Sequence, residues 1–161
     1  MSASRSFDFT PTGSSIAGAL GLKLAPTTAI FALPFSLYLL LLSGRVVSQR
    51  QKTGITLGTN ASINTETDPL HKAIRAHANY LENVPVAMML SLVAEINGGS
   101  RRCLAWAGAI LFALRVANVE FGLRAKDSKG IGRLIGYFGT NAWLAGMAGY
   151  CVLLTRDYWG F

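Results

Sequence analysis

Charged residues are scarce in this chain. Only 14% of its 161 residues are Asp, Glu, Lys or Arg, whereas 51% are hydrophobic, and the mean hydropathy is +0.37. This balance argues against an ordinary soluble protein and favours a single membrane domain. Acidic residues are rarer than basic ones, at 8 against 15, so the net charge is +7. In a membrane protein such an excess is typical of helix ends that meet anionic head groups or hold an anionic ligand.

Other absences narrow the possible functions. No nucleic-acid motif accompanies the basic residues, and Cys103 and Cys151 have neither CxxC nor metal-ligand spacing, so we predict neither a nucleic-acid partner nor a metal site. Buried free thiols are the favoured interpretation of the cysteines, although a disulfide is geometrically allowed. The N-terminus has no basic segment followed by an apolar one and does not resemble a cleaved signal peptide. Residues 1–23 are predicted to form a flexible tail.

Long hydrophobic runs are present, and two carry no charge. Leu24 to Gly44 and Leu134 to Thr155 each supply the roughly 20 residues that cross a ~30 Å hydrocarbon core. Two more apolar segments are interrupted, one by Glu82 and one by Arg115 and Glu120. They are either full spans with ionisable groups facing the protein interior or surface helices beside a two-helix hairpin.

We favour four spans, because the polar residues cluster on particular helix faces. The fold class predicted is an all-α, transmembrane, up-down four-helix bundle. Its spans are predicted at 24–46, 70–96, 102–124 and 132–155, with a short tail at 156–161. Lys and Arg are more frequent beside the first and third connections than on the opposite side, which places both termini outside or in the lumen. Aromatic anchors are predicted near the luminal helix ends at Trp106, Tyr150, Tyr158 and Trp159.

Glycine and proline add two expectations about the helices. The fourth helix opens with Gly132-x-x-x-Gly136 and continues with Gly139, Gly146 and Gly149, a spacing that lets helix backbones approach closely in a bilayer. Tight packing within or between subunits is therefore predicted. Pro34 and Pro85 lie inside predicted helices and predict kinks.

A polar stripe runs along the second helix. At about 100° per residue, Arg75, Asn79 and Glu82 share one face, and His71 lies close to the same line one turn earlier. His77 points to nearly the opposite side and is assigned a mostly structural role, and Asn83 is also off the stripe.

The third and fourth helices carry polar faces of their own. Arg115, Asn118 and Gly122 share a face of the third helix, whereas the i, i+4 spacing of Glu120 and Arg124 predicts a structural salt bridge. On the fourth helix Arg133, Tyr137 and Thr140 align.

Several arginines therefore converge on the cytosolic half of the bundle. Because arginine keeps its charge, a partly dry site of this kind needs anions. One interpretation is an internal network of Glu82 with Arg75 or Arg115 that only aligns the helices. The other is a site for a small polyanion that is open to the cytosol and bordered by lipid.

The segment RAHANYLENVP, residues 75–85, resembles the second-helix signature of the MAPEG family, the membrane-associated proteins in eicosanoid and glutathione metabolism. That signature reads approximately R-A-x-x-N-x-x-E-x-x-P. The resemblance extends over roughly Leu24 to Leu154 and includes LRVANVEFGLR and GRLIGYFGTNAW at the positions of the third-helix arginine and the fourth-helix Arg and Tyr. It implies a homotrimer of four-helix bundles that binds glutathione between neighbouring subunits near the cytosolic face.

The resemblance also implies residue roles. Arg75, Asn79, Glu82 and Tyr137 would hold glutathione as co-substrate, with Arg50 as a further contact. Arg115 matches a structural or active-site arginine and is also assigned to the glutathione contacts. Arg133 matches the arginine that stabilises the thiolate, so Arg133 and Tyr137 are the expected catalytic residues. The implied activity is that of a membrane-bound glutathione transferase or peroxidase acting on an apolar electrophile or lipid hydroperoxide. The implied location is the endoplasmic reticulum or another internal membrane, or the inner membrane of a bacterium.

The sequence departs from the eicosanoid-producing members at three positions. Ala78 replaces a polar or charged residue, and Asn118 and Gly122 replace His or Tyr. These departures argue against prostaglandin or cysteinyl-leukotriene synthesis, and the chain is closer to the broad branch found in bacteria and fungi. Two alternatives stay open: an isomerase or cyclase that works without glutathione through groups such as Glu82, Tyr137 and His71, and a non-catalytic membrane subunit.

Overall fold

The computed structural model describes residues 25–59, 67–123, 131–158 and 160. The predicted N-terminal tail, Arg124 and Trp159 lie outside the described residues. Four long helices are present, as predicted, and the described part of the chain contains no strand. Their bounds are α1 Pro26–Thr53, α2 Pro69–Ile96, α3 Arg101–Ala117 continued by a π-helix at Asn118–Leu123, and α4 Ile131–Thr155, which is followed by a 3-10 turn at Arg156–Tyr158.

Contacts between helix ends establish the up-down order. The Glu95 carboxylate, near the end of α2, accepts hydrogen bonds from the backbone N–H of Thr27 and of Thr28, at 2.8 and 2.7 Å, at the start of α1. Ser100, before α3, donates its backbone N–H to the Tyr150 hydroxyl near the end of α4 at 2.9 Å. Sequential helices are therefore antiparallel. The ends of α1 and α3, the starts of α2 and α4 and the π-helix all meet at one end of the bundle, which we call the cleft end.

Helix boundaries follow local chemistry. Pro26 and Pro69 occupy the first turns of α1 and α2, where a missing N–H costs no hydrogen bond. The Asp68 carboxylate caps α2 by accepting from Leu70 N–H at 2.9 Å, whereas α1 has no capping side chain of its own and depends on Glu95. Gly54, with φ of 70°, ends α1 in the left-handed conformation that glycine adopts without strain.

The core between α1, α2 and α3 is largely aromatic. Phe35 and Tyr80 are buried, and the Tyr80 hydroxyl donates to the Phe35 carbonyl at 2.8 Å. Phe112 packs edge-on against Phe35, with ring centroids 5.4 Å apart. Since offset and edge-on ring contacts add to the stabilisation from buried area, this cluster fixes α2 against α1 below the cleft end.

Glycine brings α4 into close contact with the end of α3. A Cβ atom on Gly132 would lie 2.6 Å from the Ala117 carbonyl oxygen, and one on Gly136 would overlap the Asn118 side chain. The tight packing predicted for these glycines is confirmed. Gly146 and Gly149 have open space around their Cα atoms within the subunit, so the close contact is confined to the cleft end.

The bundle exterior is apolar. Two helical segments in the described part of the chain are long and apolar enough to cross a membrane: α1 and Arg101–Leu123. The fourth helix, which is uncharged after Arg133, does not reach that hydropathy, because glycine, Thr140 and Asn141 take the place of aliphatic residues along it. Trp106 and Tyr158, two of the predicted anchors, are exposed.

The remaining structural predictions have mixed outcomes. Both cysteines are free; Cys103 is exposed instead of buried, and the Cys151 thiol donates to the Leu90 carbonyl. The predicted partner of Glu120, Arg124, lies outside the described residues. Within the described residues Glu120 pairs with Arg45 of α1 at 2.5 Å, a long-range contact that i, i+4 spacing within the third helix does not anticipate.

Candidate functional site

A cleft of about 750 Å³ opens at the cleft end between α2, α4 and the π-helix. The second-helix stripe, Arg75, Asn79 and Glu82, forms one wall, and Arg133 and Tyr137 of α4 face it. The structure therefore brings five of the predicted site residues to a single cleft. His71 also lines it, one turn before Arg75, where the helix periodicity places it.

Arg75 and Glu82 project from α2 into accessible space. Both side chains are exposed within the subunit, and Glu82 forms no ion pair with Arg75 or Arg115. Within the described residues, these helices are therefore not aligned by a salt-bridge network centred on Glu82. The two groups keep their charges accessible to a ligand.

Arg133 is held at the first turn of α4 by its backbone. The Asn118 side-chain amide donates to the Arg133 carbonyl at 3.3 Å. A Cβ on Gly122 would lie 2.6 Å from the Arg133 backbone nitrogen, so this position has no room for the His or Tyr that the resemblance leads one to expect. The π-helix lines the cleft with Asn118 and Leu123, and at Gly122 it carries neither an aromatic nor an imidazole side chain. π-helical turns of this kind are frequent at functional sites.

Arg115 lies beneath the cleft and does not line it. Its side chain is 2% exposed. The guanidinium donates to the Asn79 Oδ1 at 3.1 Å and to the Gly136 carbonyl at 2.6 Å, and also to the Thr140 hydroxyl. Within the described residues its acceptors are neutral and its Nε has no partner. Arg115 therefore joins α2, α3 and α4 directly under the stripe.

Like Arg115, Arg50 is a predicted contact that does not line the cleft of the described subunit. Its guanidinium donates to the carbonyls of Ile55, Thr56 and Gly58, which follow the end of α1. His77 and Asn83 also lie away from the cleft, as the periodicity predicts. The Asn83 amide donates to the Asn79 carbonyl within α2 at 2.7 Å.

Sequence reasoning missed several lining residues. Lys72 stands three residues before Arg75, and its i, i+3 position on the same face is a signal that could have identified it. Three apolar residues, Leu123, Leu134 and Phe138, complete the wall. Their types are common throughout the chain, so no sequence signal separates them from lipid-facing positions.

The electrostatics of the cleft favour anions. Among the described lining residues Lys72, Arg75 and Arg133 are cationic, and Glu82 is the only carboxylate. The N-terminal ends of α2 and α4 also lie at this end of the bundle, and the positive end of a helix dipole attracts negative charge. Exposed Leu134 and Phe138 lie beside these cations. The arrangement can hold a small polyanion next to an apolar molecule.

Together, these features define a membrane protein whose apolar helical bundle has a polar cleft near one end. The family comparison agrees: the model of the MAPEG family matches residues 28–153. The match covers most of the chain, which therefore belongs to the MAPEG family, a membrane-associated family. No curated protein and no solved structure matches the chain.

Proposed function

We propose that this protein is a membrane-bound glutathione transferase or peroxidase. In this proposal the cleft binds glutathione and promotes its reaction with an apolar electrophile or a lipid hydroperoxide. Arg75, Asn79 and Glu82 bind the tripeptide, while Arg133 and Tyr137 act at the sulfur.

The observation that carries the proposal is the charge of the cleft beside an apolar wall. Glutathione as the thiolate bears three negative groups and one ammonium. The described lining offers three cations and one carboxylate, so the two sets are complementary. Glu82 is free to accept from the ammonium, and charge-assisted hydrogen bonds from arginine to carboxylates are among the stronger polar contacts in proteins.

The thiolate is the reactive form of the thiol, whose ordinary pKa of about 8.5 leaves it mostly protonated at neutral pH. A fixed guanidinium at Arg133, on the first turn of α4, favours the thiolate electrostatically. With an electrophile, a carbon–sulfur bond forms as the leaving anion departs. With a hydroperoxide, the thiolate attacks the terminal oxygen: the sulfur–oxygen bond forms as the oxygen–oxygen bond breaks, and the alkoxide leaves and takes up a proton to become the alcohol. A second glutathione then converts the sulfenic acid into glutathione disulfide and water.

The same proposal covers the membrane orientation of the cleft, the entry of the apolar co-substrate and the assembly of subunits. Four membrane spans would place the cleft end on the cytosolic side, where soluble glutathione is available, and the apolar co-substrate would enter from the lipid beside Leu134 and Phe138. A homotrimer would place Arg50 of one subunit where a neighbouring cleft can use it. An internal membrane, or the inner membrane of a bacterium, fits this orientation.

The test is calorimetric titration of the purified full-length protein with glutathione, together with Arg75→Ala. We expect the wild type to bind and Arg75→Ala to lose about 10- to 100-fold in affinity, since hydrogen bonds to charged groups contribute about 1.5–3 kcal/mol. The matched control is Arg102→Ala, an exposed arginine at the opposite end of the bundle, which should bind as the wild type does. A wild type that binds no glutathione would rule out the proposal in favour of a glutathione-independent isomerase or a non-catalytic subunit.

A further inference from the structure

From the contacts of Arg115 we infer that it is a positioning residue, which holds the oxygen of Asn79 beneath the cleft so that the Asn79 amide N–H groups face the co-substrate. The inference rests on the proposed glutathione site. The sequence-based assignment made Arg115 a direct ligand contact. In this inference Arg115 acts on the ligand only through Asn79.

Arg115 is buried beneath the cleft. Arg115 is 2% exposed and is absent from the cleft lining, whereas Asn79 is in contact with both Arg115 and the cleft. A co-substrate in the cleft therefore meets Asn79 before it can meet Arg115. The guanidinium lies close to the cleft, but Asn79 lies between the two.

Hydrogen-bond chemistry determines which atom of the Asn79 amide faces Arg115. Arginine has donors and no acceptor, whereas an asparagine amide has one oxygen that accepts and one nitrogen that donates. The Asn79 atom facing Arg115 must therefore be Oδ1, at 3.1 Å from Nη1. The amide nitrogen is directed away from Arg115, and within the described residues it has no hydrogen-bond partner. Its two N–H groups are available as donors to an anionic group in the cleft.

The Arg115 guanidinium is itself held in place by hydrogen bonds. Its second terminal nitrogen donates to the Gly136 carbonyl and the Thr140 hydroxyl, both on α4. The guanidinium is thus tied to α4 at one nitrogen and to Asn79 of α2 at the other. If the Asn79 amide rotated by half a turn, its N–H groups would face the N–H groups of the buried Arg115 guanidinium. Both sets of donors would then lack an acceptor, which costs free energy. The donor side of Asn79 is therefore set before the co-substrate arrives.

The decisive variant is Asn79→Asp in the full-length protein. Aspartate has nearly the same shape and still accepts from Arg115, so the fold and the buried contact are retained. Its second oxygen replaces the N–H donors with negative charge. We expect glutathione affinity to fall about 10- to 100-fold, while the melting temperature stays unchanged or rises because Arg115 gains a counter-ion. Asn83→Asp is the matched control, since its amide bonds within its own helix; its affinity should equal that of the wild type.

A double-mutant cycle separates positioning from simple structural support. Arg115→Lys should weaken glutathione binding in the wild type but have no further effect on affinity in an Asn79→Leu background. Additive losses of affinity in the two backgrounds would contradict action through Asn79. Wild-type affinity in Asn79→Asp would overturn the proposed orientation of the amide.

Failure of the proposed function is distinguishable from failure of this inference. If the wild type binds no glutathione, the proposed function fails on its own. The Arg115–Asn79 contact is then decided by stability: Asn79→Leu, which leaves buried guanidinium donors unpaired, should lower the melting temperature, whereas Asn79→Asp should not. Equal melting temperatures for the wild type, Asn79→Leu and Asn79→Asp would overturn the inference even without a ligand.

Discussion

At the scale of single residues, the cleft separates arginines by their accessibility. Arg75 and Arg133 are exposed to the cleft, Arg115 is buried below it, and Arg50 bonds to carbonyl groups after α1. The same residue type therefore occupies three environments in one chain, and we propose that these serve to bind an anion, position a neighbouring amide and order a loop. Arg75 and Arg133 are the arginines that line the cleft, which is why we propose glutathione binding for the arginines of the cleft wall.

Removal of the Arg133 charge should impair chemistry more than binding. In Arg133→Gln we expect turnover with an electrophilic substrate at neutral pH to fall roughly 100-fold, in line with the loss of one electrostatic contact in an active site. A cation lowers the pKa of a neighbouring thiol, so its removal raises the thiol pKa in the complex. The deficit should therefore shrink as the pH rises and the thiolate forms without help.

The measurement is a pH–rate profile together with the ultraviolet absorbance of bound thiolate. Arg102→Gln, at the opposite end of the bundle, is the control and should retain the wild-type profile. An Arg133→Gln profile that coincides with the wild type would refute the thiolate role, whatever the affinity for glutathione.

At the scale of helices and turns, the junction of the π-helix with α4 determines the shape of the cleft. Gly122 and Gly132 lie where any Cβ would meet backbone atoms of the facing segment, and Gly136 faces Asn118. This contact holds the start of α4, which carries Arg133 and Tyr137, against the π-helix. Glycine is used here because two backbones approach more closely than a methyl group allows.

Gly136→Ala should therefore destabilise the protein, by about 1–3 kcal/mol, as expected for overpacking of a tight contact. Gly146→Ala is the matched control on the same helix, because open space surrounds Gly146 within the subunit. It should be neutral or slightly stabilising, since alanine favours a helix over glycine by up to about 1 kcal/mol. The measurement is thermal unfolding of the detergent-solubilised protein. Equal destabilisation by both substitutions would contradict a contact specific to the cleft end.

At the scale of the whole molecule, an apolar exterior surrounds one polar end. The segments that satisfy the membrane-span test on length and hydropathy, α1 and Arg101–Leu123, both run towards the cleft end. Antiparallel α2 and α4 complete the bundle. α4, with 25 residues, is about 37 Å long at 1.5 Å per residue and so can cross the bilayer even with its lower hydropathy.

The proposed orientation predicts which end of the bundle meets each side of the membrane. Cys103 is exposed at the end opposite the cleft, and Thr53 is exposed at the cleft end. In sealed vesicles whose cytosolic face is outward, a membrane-impermeant maleimide should label Thr53→Cys in a chain lacking its native thiols. It should label Cys103, in a Cys151→Ser chain, only after detergent is added.

The opposite labelling pattern would reverse the proposed orientation. Labelling of both positions in intact vesicles would contradict a bundle that spans the membrane. Opening the vesicles with detergent provides the control that each thiol is reactive.

The four helices were predictable because each contains an apolar segment, two of them uninterrupted and two with polar residues grouped on particular faces, and local sequence specifies such patterns. The MAPEG resemblance in RAHANYLENVP and the stripe of Arg75, Asn79 and Glu82 were also readable, since helical periodicity alone puts these side chains on one face. The same periodicity correctly separated His77 from the stripe. Each of these features depends on residues close together in the chain.

Contacts between residues far apart in the chain could not be predicted from the sequence. Glu95 caps α1 from 67 positions away, Arg45 pairs with Glu120 across the bundle, and the π-helix changes the register of the last turns of α3. Whether Arg115 faces the ligand or supports it depends on what covers the guanidinium, and that is decided only when α2 and α4 pack together. The sequence by itself determined the helices and the composition of their polar faces; the tertiary structure decided which of those polar groups are open to a ligand, because accessibility depends on the neighbouring helices.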